Sequence, residues 1–529
     1  MNPKMETLEL SKREVPITSD HISPRTQASP LRRNWRILAP CIGISLLTII
    51  VPLYRMFLRL EIHYAEGWDV YTAAIAAHHQ PLYPAPYSWT MVNYPILSFY
   101  TVAGLAHFTH DYLFTGRMLC FISFLICCAL AGGIVWKLTR AAVPSVLVVF
   151  LALGIFCADA EPYVGANDPQ MFAHAFALAG LFIYVSKRKH GRGLGPAALL
   201  FVLAGCAKPN LIDFPLAVLV DLWLTSRRDA LRFCLFAVLF GGFAILLNIH
   251  LGGPYFVAQM LSGRSYSFSH MIDNFSDLYL PILPLALIAL LTAIRVYRDS
   301  SLRIIPLLFW FAQLPCIAFG GGAGVWLNTY FSGVWATTLL FGILLNEVHR
   351  HPLQWPRQLR SSWFPAIVFL WLFVPLTVTG QERATDPNAP VHWSPIAAIR
   401  HLRTSEQQFD EEVAFLRAQP GPALCQSLLR CYYAGKPYVY DPFNATRMIR
   451  LGKLDPEEIV DRVQRHEYGA IQFGISLTPE RWERPGQNDL AAILFAPPIL
   501  KAIAENYVPA LTNRDAEGRP VCVIYVPKR

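Results

Sequence analysis

Apolar stretches close to the roughly 20 residues that a helix needs to cross a bilayer recur from residue 37 to residue 380. Inside a bilayer no water is available to backbone N–H and C=O groups, so such stretches must pair their own backbone as helices. Segments at 37–57, 114–136, 143–158, 169–186, 193–208, 211–224, 231–251, 277–295, 304–320, 326–346 and 363–380 predict about eleven crossings. Only 15% of the residues are charged, against about 25% in a soluble protein. Residues 381–529 have ordinary polarity and read as a separate soluble unit. The expected fold class is therefore a polytopic α-helical membrane protein, with interfacial helices beside its crossings and a small C-terminal α/β domain.

Basic residues orient the bundle, because short cytoplasmic loops collect Lys and Arg. The N-terminal arm, 1–36, carries Lys12, Arg13, Arg25, Arg32, Arg33 and Arg36. Later basic loops hold Lys137 and Arg140, Lys187 to Lys189, Arg227 and Arg228, Arg295 and Arg298, and Arg350, Arg357 and Arg360. The intervening loops carry almost none. The expectation is a cytoplasmic N-terminus, a transmembrane domain over 37–380, and an extracytoplasmic first loop, 58–113, and C-terminal domain, in the cytoplasmic membrane of a bacterium. The segment YPILSFYTVAGLAHF, 94–108, reads as an interfacial helix, since a further crossing there would put basic loops outside. The net charge of +9 follows from these inner loops and needs no nucleic acid. The N-terminal arm lacks a cleavage signature, so the first helix is expected to stay as an anchor.

In the last domain, SEQQFDEEVAFLRAQ from Ser405 and DPEEIVDRVQRHE from Asp455 carry helix-start signals, and ALCQ, AIQFGI and VCVIYV read as strands. Cys425 and Cys431 lie close enough to be joined in an oxidising compartment, while eight other cysteines lie in the expected crossings and read as packing residues. No CxxC or HExxH motif is present, and no Asp-x-Asp site is evident. The expectation is no cofactor, with a divalent cation the one possibility left open.

The run EIHYAEGWDVYTAAIAAHHQPLYPAP, 61–86, follows the first crossing and sets Glu61, Glu66 and Asp69 among aromatic residues at the membrane surface. Carboxylates there are costly to desolvate and so mark a candidate site. Glu66 and Asp69 are three apart and share a face if the run is helical. His63, His78 and His79 lack helical ligand spacing and read as interfacial residues. A second outer loop, CADAEPYVGANDPQMF, offers Asp159, Glu161 and Asp168, the last of these either a site residue or a helix cap ahead of Pro169. Lys208 sits at a helix end on the side from which positive charge is excluded, which suggests an anionic partner such as a phosphate; snorkelling to headgroups is the plainer alternative. Arg264, among aromatic residues, is a second such candidate.

From Glu66 the order EGWDVYTAAIAAHHQPLYP, then NYPILSFY, resembles the start of the GT-C membrane glycosyltransferases that use polyprenyl-phosphate-linked sugars, including the mannosyltransferase, aminoarabinose-transferase and lipopolysaccharide branches. Ala65, His79 and Ile96 depart from the acid, Gly and second Pro usual there. GCAKPNLIDFPLAV is similar to the "T-K-P" element of those enzymes, GGAGVWLNTYFSGVW, with Asn328 and Tyr330, to their Gly-rich "N-Y" segment, and GPALCQSLLRCYYAGKPYVYDPF to the tail after the helices. The resemblance implies transfer of a sugar from a polyprenyl-phosphate donor to a lipid, glycan or protein acceptor. It implies Glu66, then Asp69, then Glu61 in order of preference as general base, and Lys208, Asp168, Arg264, Asn328 and Tyr330 as substrate-binding residues. Two other classes compete. A lipid or sugar transporter would use charges within the membrane, for which Asp213 and Asp221 are the best support; a non-catalytic scaffold would merely display the outer domain.

Overall fold

The computed structural model describes residues 30–188, 192–361, 363–371, 395–483, 493–515 and 518–528. The basic arm before residue 30, the linker at 381–390 and the end of the segment expected at 363–380 lie outside these. A helix underlies each of the eleven expected segments. Among the described residues, Tyr112–Thr139, Ala142–Asp159, Arg227–Gly252 and Leu327–Arg350 are each long and apolar enough to cross a membrane unaided.

Prolines account for three of the seven segments that are not uninterrupted crossing-length helices among the described residues. The segment at 277–295 is not one helix but two, Phe268–Tyr279 and Leu283–Val296, meeting at 93°. Pro281 and Pro284 disfavour helical backbone before them and remove amide donors. The segment at 304–320 breaks after Phe311, the carbonyl that Pro315 cannot bond, and the segment at 37–57 breaks after Thr48, four residues ahead of Pro52. Leu194–Ala207 and Asp213–Thr225 have 14 and 13 residues, about 20 Å each at 1.5 Å per residue and short of the roughly 30 Å hydrocarbon layer.

The bundle core is aromatic and tightly interlocked. Trp335 is fully buried and stacks on Phe156 at 4.6 Å, and Phe331 meets the same ring edge-on at 5.0 Å. The Arg227–Gly252 helix is the opposite case. Leu231, Val238, Phe243 and Leu246 are 64–70% exposed along it, a face that is stable only when lipid covers it.

The Ala65–Ala77 helix is not a crossing. It lies against the Leu97–Thr109 helix, the expected interfacial segment, and against Leu428–Tyr433 of the C-terminal unit. Trp68 locks it by donating its indole N–H to the Met91 carbonyl at 2.8 Å and packing edge-on to Tyr94 and Phe99. Tyr71 donates to the Lys436 carbonyl at 2.7 Å and stacks on Tyr438. Gly67 permits the closest approach, since a Cβ there would lie 2.2 Å from the Leu429 amide nitrogen and 2.5 Å from the Leu428 carbonyl carbon. Backbone cannot yield as a side-chain tip can. Gly67→Ala is therefore expected to lower stability by about 1–3 kcal/mol, the range for overpacking, despite the better helix propensity of Ala; a melting temperature at or above wild type in detergent would contradict this.

The C-terminal unit carries a four-stranded mixed sheet, with β1 Ala423–Cys425, β2 Ala470–Phe473, β3 Tyr507–Arg514 and β4 Pro520–Pro527 in the order β1-β2-β4-β3. β1 and β2 run parallel with Ala423 opposite Ala470; the other pairs are antiparallel. A parallel pair needs a crossover, and the helices Leu428–Tyr433, Pro442–Arg450 and Glu457–Gln464 supply it. Three of the four strands match the expected runs. The helix expected from Ser405 instead spans Pro395–Ala418, so Ser405 is interior and caps nothing. Asp455 does bond the start of its helix, accepting from the Glu457 amide at 3.1 Å. Cys425 and Cys431 form a disulfide.

Candidate functional site

Glu66 and Asp69, one turn apart, both face the 165–168 loop, and their surroundings differ sharply. Glu66 is fully buried. Arg117, one turn inside the Tyr112–Thr139 helix, grips it with two bonds, Nε to Oε1 at 2.7 Å and Nη2 to Oε2 at 2.6 Å. The Asn167 amide donates to Oε1 at 2.9 Å and the Ile62 amide to Oε2 at 2.7 Å. Burial alone would raise its pKa, but the Arg117 guanidinium and these donors outweigh that and hold the carboxyl below its ordinary value. Arg117 also donates to the carbonyls of Leu58 and Leu60, so one buried pair ties the end of the first helix to the loop.

Asp69 is 4% exposed, and its Oδ2 has no protein partner. It lines a cleft of about 20 Å³ with Ser98, Asn167 and Asp168, room for about one water or one hydroxyl group. The Ser98 hydroxyl and the Asn167 side-chain amide nitrogen are likewise buried without a partner. Burial, then the neighbouring Asp168 charge, push the Asp69 carboxyl well above the usual range, while Lys208 pulls the other way. Glu61 stands apart from both, 3.6 Å from Arg430, and is pushed up to about 7 by burial against that attraction.

Asp168 acts as the helix cap that its sequence allowed and also pairs with Lys208. Its Oδ1 accepts from the Gln170 amide at 2.7 Å, as a cap does, and both oxygens accept from Lys208 Nζ, at 2.8 and 2.9 Å. Lys208 does not snorkel: it is 3% exposed and its ammonium lies 4.8 Å from the centre of the Tyr94 ring.

Lys208 also lines a cavity of about 700 Å³ together with Arg264 and Asn328. One end is polar, with Asn93, Asn210, Ser262 and Arg264; the other runs along Val202, Gly205, Gly241 and Ile245 of the bundle. A Cβ at Gly205 or Gly241 would meet nothing within 4 Å, so that end is open between helices. Asn328 donates to Gln170 Oε1 at 3.2 Å. Tyr330 is not with them. It is 1% exposed, gives its hydroxyl to the Met271 carbonyl at 2.8 Å, and packs edge-on to Phe275 and Tyr279.

A second, narrower pocket adjoins the first through Asn93, Tyr94, Arg264 and Gly324. Tyr64, Ala65 and Trp68 form one wall, and Gln426, Asp441, Phe443 and Asn444 of the C-terminal unit form the other. Sequence reasoning missed this wall, and missed Arg117. An arginine in the first turns of an apolar helix, on the side where basic residues are scarce, is the same signal that singled out Lys208. Among the described residues no group of three His, Cys, Asp or Glu side chains is arranged to hold a metal ion. His63 instead stacks on Trp326.

No family model matches the sequence, and no curated protein matches it. Solved structures do. ArnT from Cupriavidus metallidurans bound to undecaprenyl phosphate superposes with a TM-score of 0.54 at 11% identity, covering 94% of this chain and 98% of that one. The apo form of ArnT gives 0.55 at 12%, covering 93% and 98%. The chain therefore shares the fold of ArnT. At this identity the likeness is one of architecture alone, but it extends over nearly the whole chain. The apo oligosaccharyltransferase of Archaeoglobus fulgidus gives 0.49 at 11%, covering 94% of this chain and 74% of that one.

Proposed function

We propose that the chain is an integral membrane glycosyltransferase that moves a sugar from a polyprenyl-phosphate-linked donor to a lipid, glycan or protein acceptor at the outer face of a bacterial cytoplasmic membrane. The observation that carries this reading is the two-ended cavity. Its apolar end opens between membrane helices and its polar end gathers Arg264, Asn328 and the Lys208–Asp168 pair, a division that suits a lipid tail joined to a charged, hydroxylated head. The GT-C fold supports the same conclusion, and the ArnT structure with undecaprenyl phosphate bound offers a lipid phosphate as the natural occupant. The topology is part of the proposal: N-terminal arm 1–36 inside, transmembrane domain 37–380, and C-terminal domain 381–529 outside.

In such a transfer the acceptor oxygen attacks the anomeric carbon, the bond from that carbon to the phosphate oxygen breaks, and the electron pair leaves with the polyprenyl phosphate. The acceptor proton needs a base. Asp69 is preferred to Glu66 for that role, because Glu66 already accepts four hydrogen bonds while Asp69 keeps a free oxygen beside a cleft that admits a hydroxyl group. Glu66 then fixes the loop. Lys208 and Arg264 balance charge on the departing phosphate.

The test is incubation of purified protein in nanodiscs with a panel of polyprenyl-phosphate sugars and envelope acceptors, scoring release of polyprenyl phosphate coupled to product. Wild type is expected to turn over at least one pair, and Lys208→Ala to do so more slowly. No turnover across a broad panel, together with substrate flux in vesicles, would replace this reading by a transporter.

A further inference from the structure

We propose that the C-terminal unit takes part in substrate binding, with Arg447 and Arg264 together forming a subsite for an anionic group, a phosphate or a carboxylate, where the Pro442–Arg450 helix meets the loop that carries Ser262 and Arg264. Arg447 lies on the Pro442–Arg450 helix, one turn beyond Phe443 and Asn444, which line the narrower pocket. It is 4% exposed. Its Nη2 reaches Ser262 Oγ at 3.2 Å, and Ser262 lines the large cavity two residues before Arg264. Met91 Sδ, at 3.9 Å, is its other contact. Nε and Nη1 are buried and have no hydrogen-bond partner among the described residues.

A guanidinium is the most donor-rich side chain, and burying one with two nitrogens unpaired is costly unless an acceptor arrives. Arg264 adds a second positive charge nearby; among the described residues it donates to the Ala323 carbonyl at 3.2 Å, and it lines both cavities. Neither guanidinium is ion-paired with a carboxylate among the described residues. Asp441 is the acid on the same helix, and its oxygens are already taken by the Asn444 amide at 2.9 Å, the Asn444 side chain at 2.6 Å and the Tyr438 hydroxyl at 3.1 Å. Burial, and then the Arg264 charge, push the Arg447 guanidinium down to about 10, and the Asp441 charge offsets this only in part. Planar forks of this kind suit phosphate or carboxylate oxygens bidentately.

The inference rests on the transferase reading for the identity of the anion's bearer, which is either the lipid-phosphate carrier or an anionic acceptor. It does not need turnover to be tested. Full-length protein in nanodiscs is titrated with inorganic phosphate, followed by thermal unfolding. Arg447→Gln is expected to weaken phosphate binding by at least tenfold, Arg264→Gln to do likewise, and the exposed helix neighbour changed by Arg450→Gln to leave it intact. Arg447→Lys, which keeps charge but not the fork, is expected to fall between and serves if the glutamine variant does not fold. Undecaprenyl phosphate is then added with phosphate present. Competition assigns the subsite to the carrier's own phosphate, and simultaneous binding assigns it to the acceptor. Equal phosphate affinity in wild type and Arg447→Gln, or no phosphate binding to either, would overturn the proposal while leaving the transferase reading standing.

Discussion

Asp69→Asn is expected to lower transfer turnover by about 10²- to 10⁴-fold, the usual worth of a positioned general base, with donor KM little changed. The same substitution should not destabilise the protein. The Asp69 pKa is raised in the folded state, so the folded protein holds this proton more tightly than the unfolded chain does. Its stability therefore falls as pH rises from the unfolded value, about 4, through the raised folded value. Asn removes that loss, and the variant should melt at or above wild type at neutral pH. A dead enzyme with an unchanged or higher melting temperature separates lost chemistry from lost structure. The base must be ionised to accept a proton, so wild-type turnover should rise with pH along an acidic limb displaced above the normal carboxylate range. Turnover in Asp69→Asn within threefold of wild type, in a protein shown to be active, would remove Asp69 from the mechanism.

Arg117→Met should be the most destabilising single change in the loop region, by about 3–5 kcal/mol, because it strands a fully buried carboxylate without its counter-ion. Combining it with Glu66→Gln should recover much of that loss, since a neutral side chain needs only the Ile62 and Asn167 donors that remain. A double-mutant cycle on thermal unfolding reads the coupling directly. The pH dependence has the opposite sign from that of Asp69. With the Glu66 pKa depressed in the folded state, its contribution is present above the unfolded value, about 4.3, and is lost as pH falls through the folded one. Additive losses in the cycle would mean that the pair is not a unit.

Much of this arrangement is legible in the sequence, and what is not has physical reasons. Hydrophobic length locates the membrane helices, but Pro281, Pro284 and Pro315 break them at places that an average over 20 residues smooths away. The short apolar segment after NYP, expected from charge placement to be interfacial, forms a helix of 13 residues, Leu97–Thr109. Glu66, Asp69, Asp168 and Lys208 stand out as charges where charge is costly. Pairing does not stand out: that Glu66 meets Arg117, 51 residues away, while Asp69 meets no cation directly, depends on helix rotation that spacing alone does not give. Tyr330 is the instructive case. It follows Asn328 by two residues, and the turn of backbone between them sends one side chain to the cavity and the other to the core. The wall built by Gln426, Asp441, Phe443 and Asn444 is not legible because its partners lie in a different part of the chain.

The contact at Gly67 also says something about motion. Backbone lying directly on backbone, with no flexible side chain between, leaves no room to slide, so the loop helix and the C-terminal unit must travel as one piece. On the proposed reading, admission of a bulky lipid-linked molecule would be expected near residues 256–328, where Leu261 lines the large cavity, Leu261, Phe268 and Ile317 are 61–78% exposed and two helices meet at 93°. On the proposed transferase reading, the rigid contact would hold the reacting geometry, and entry and exit, the steps that limit turnover in many enzymes, would fall to the other side.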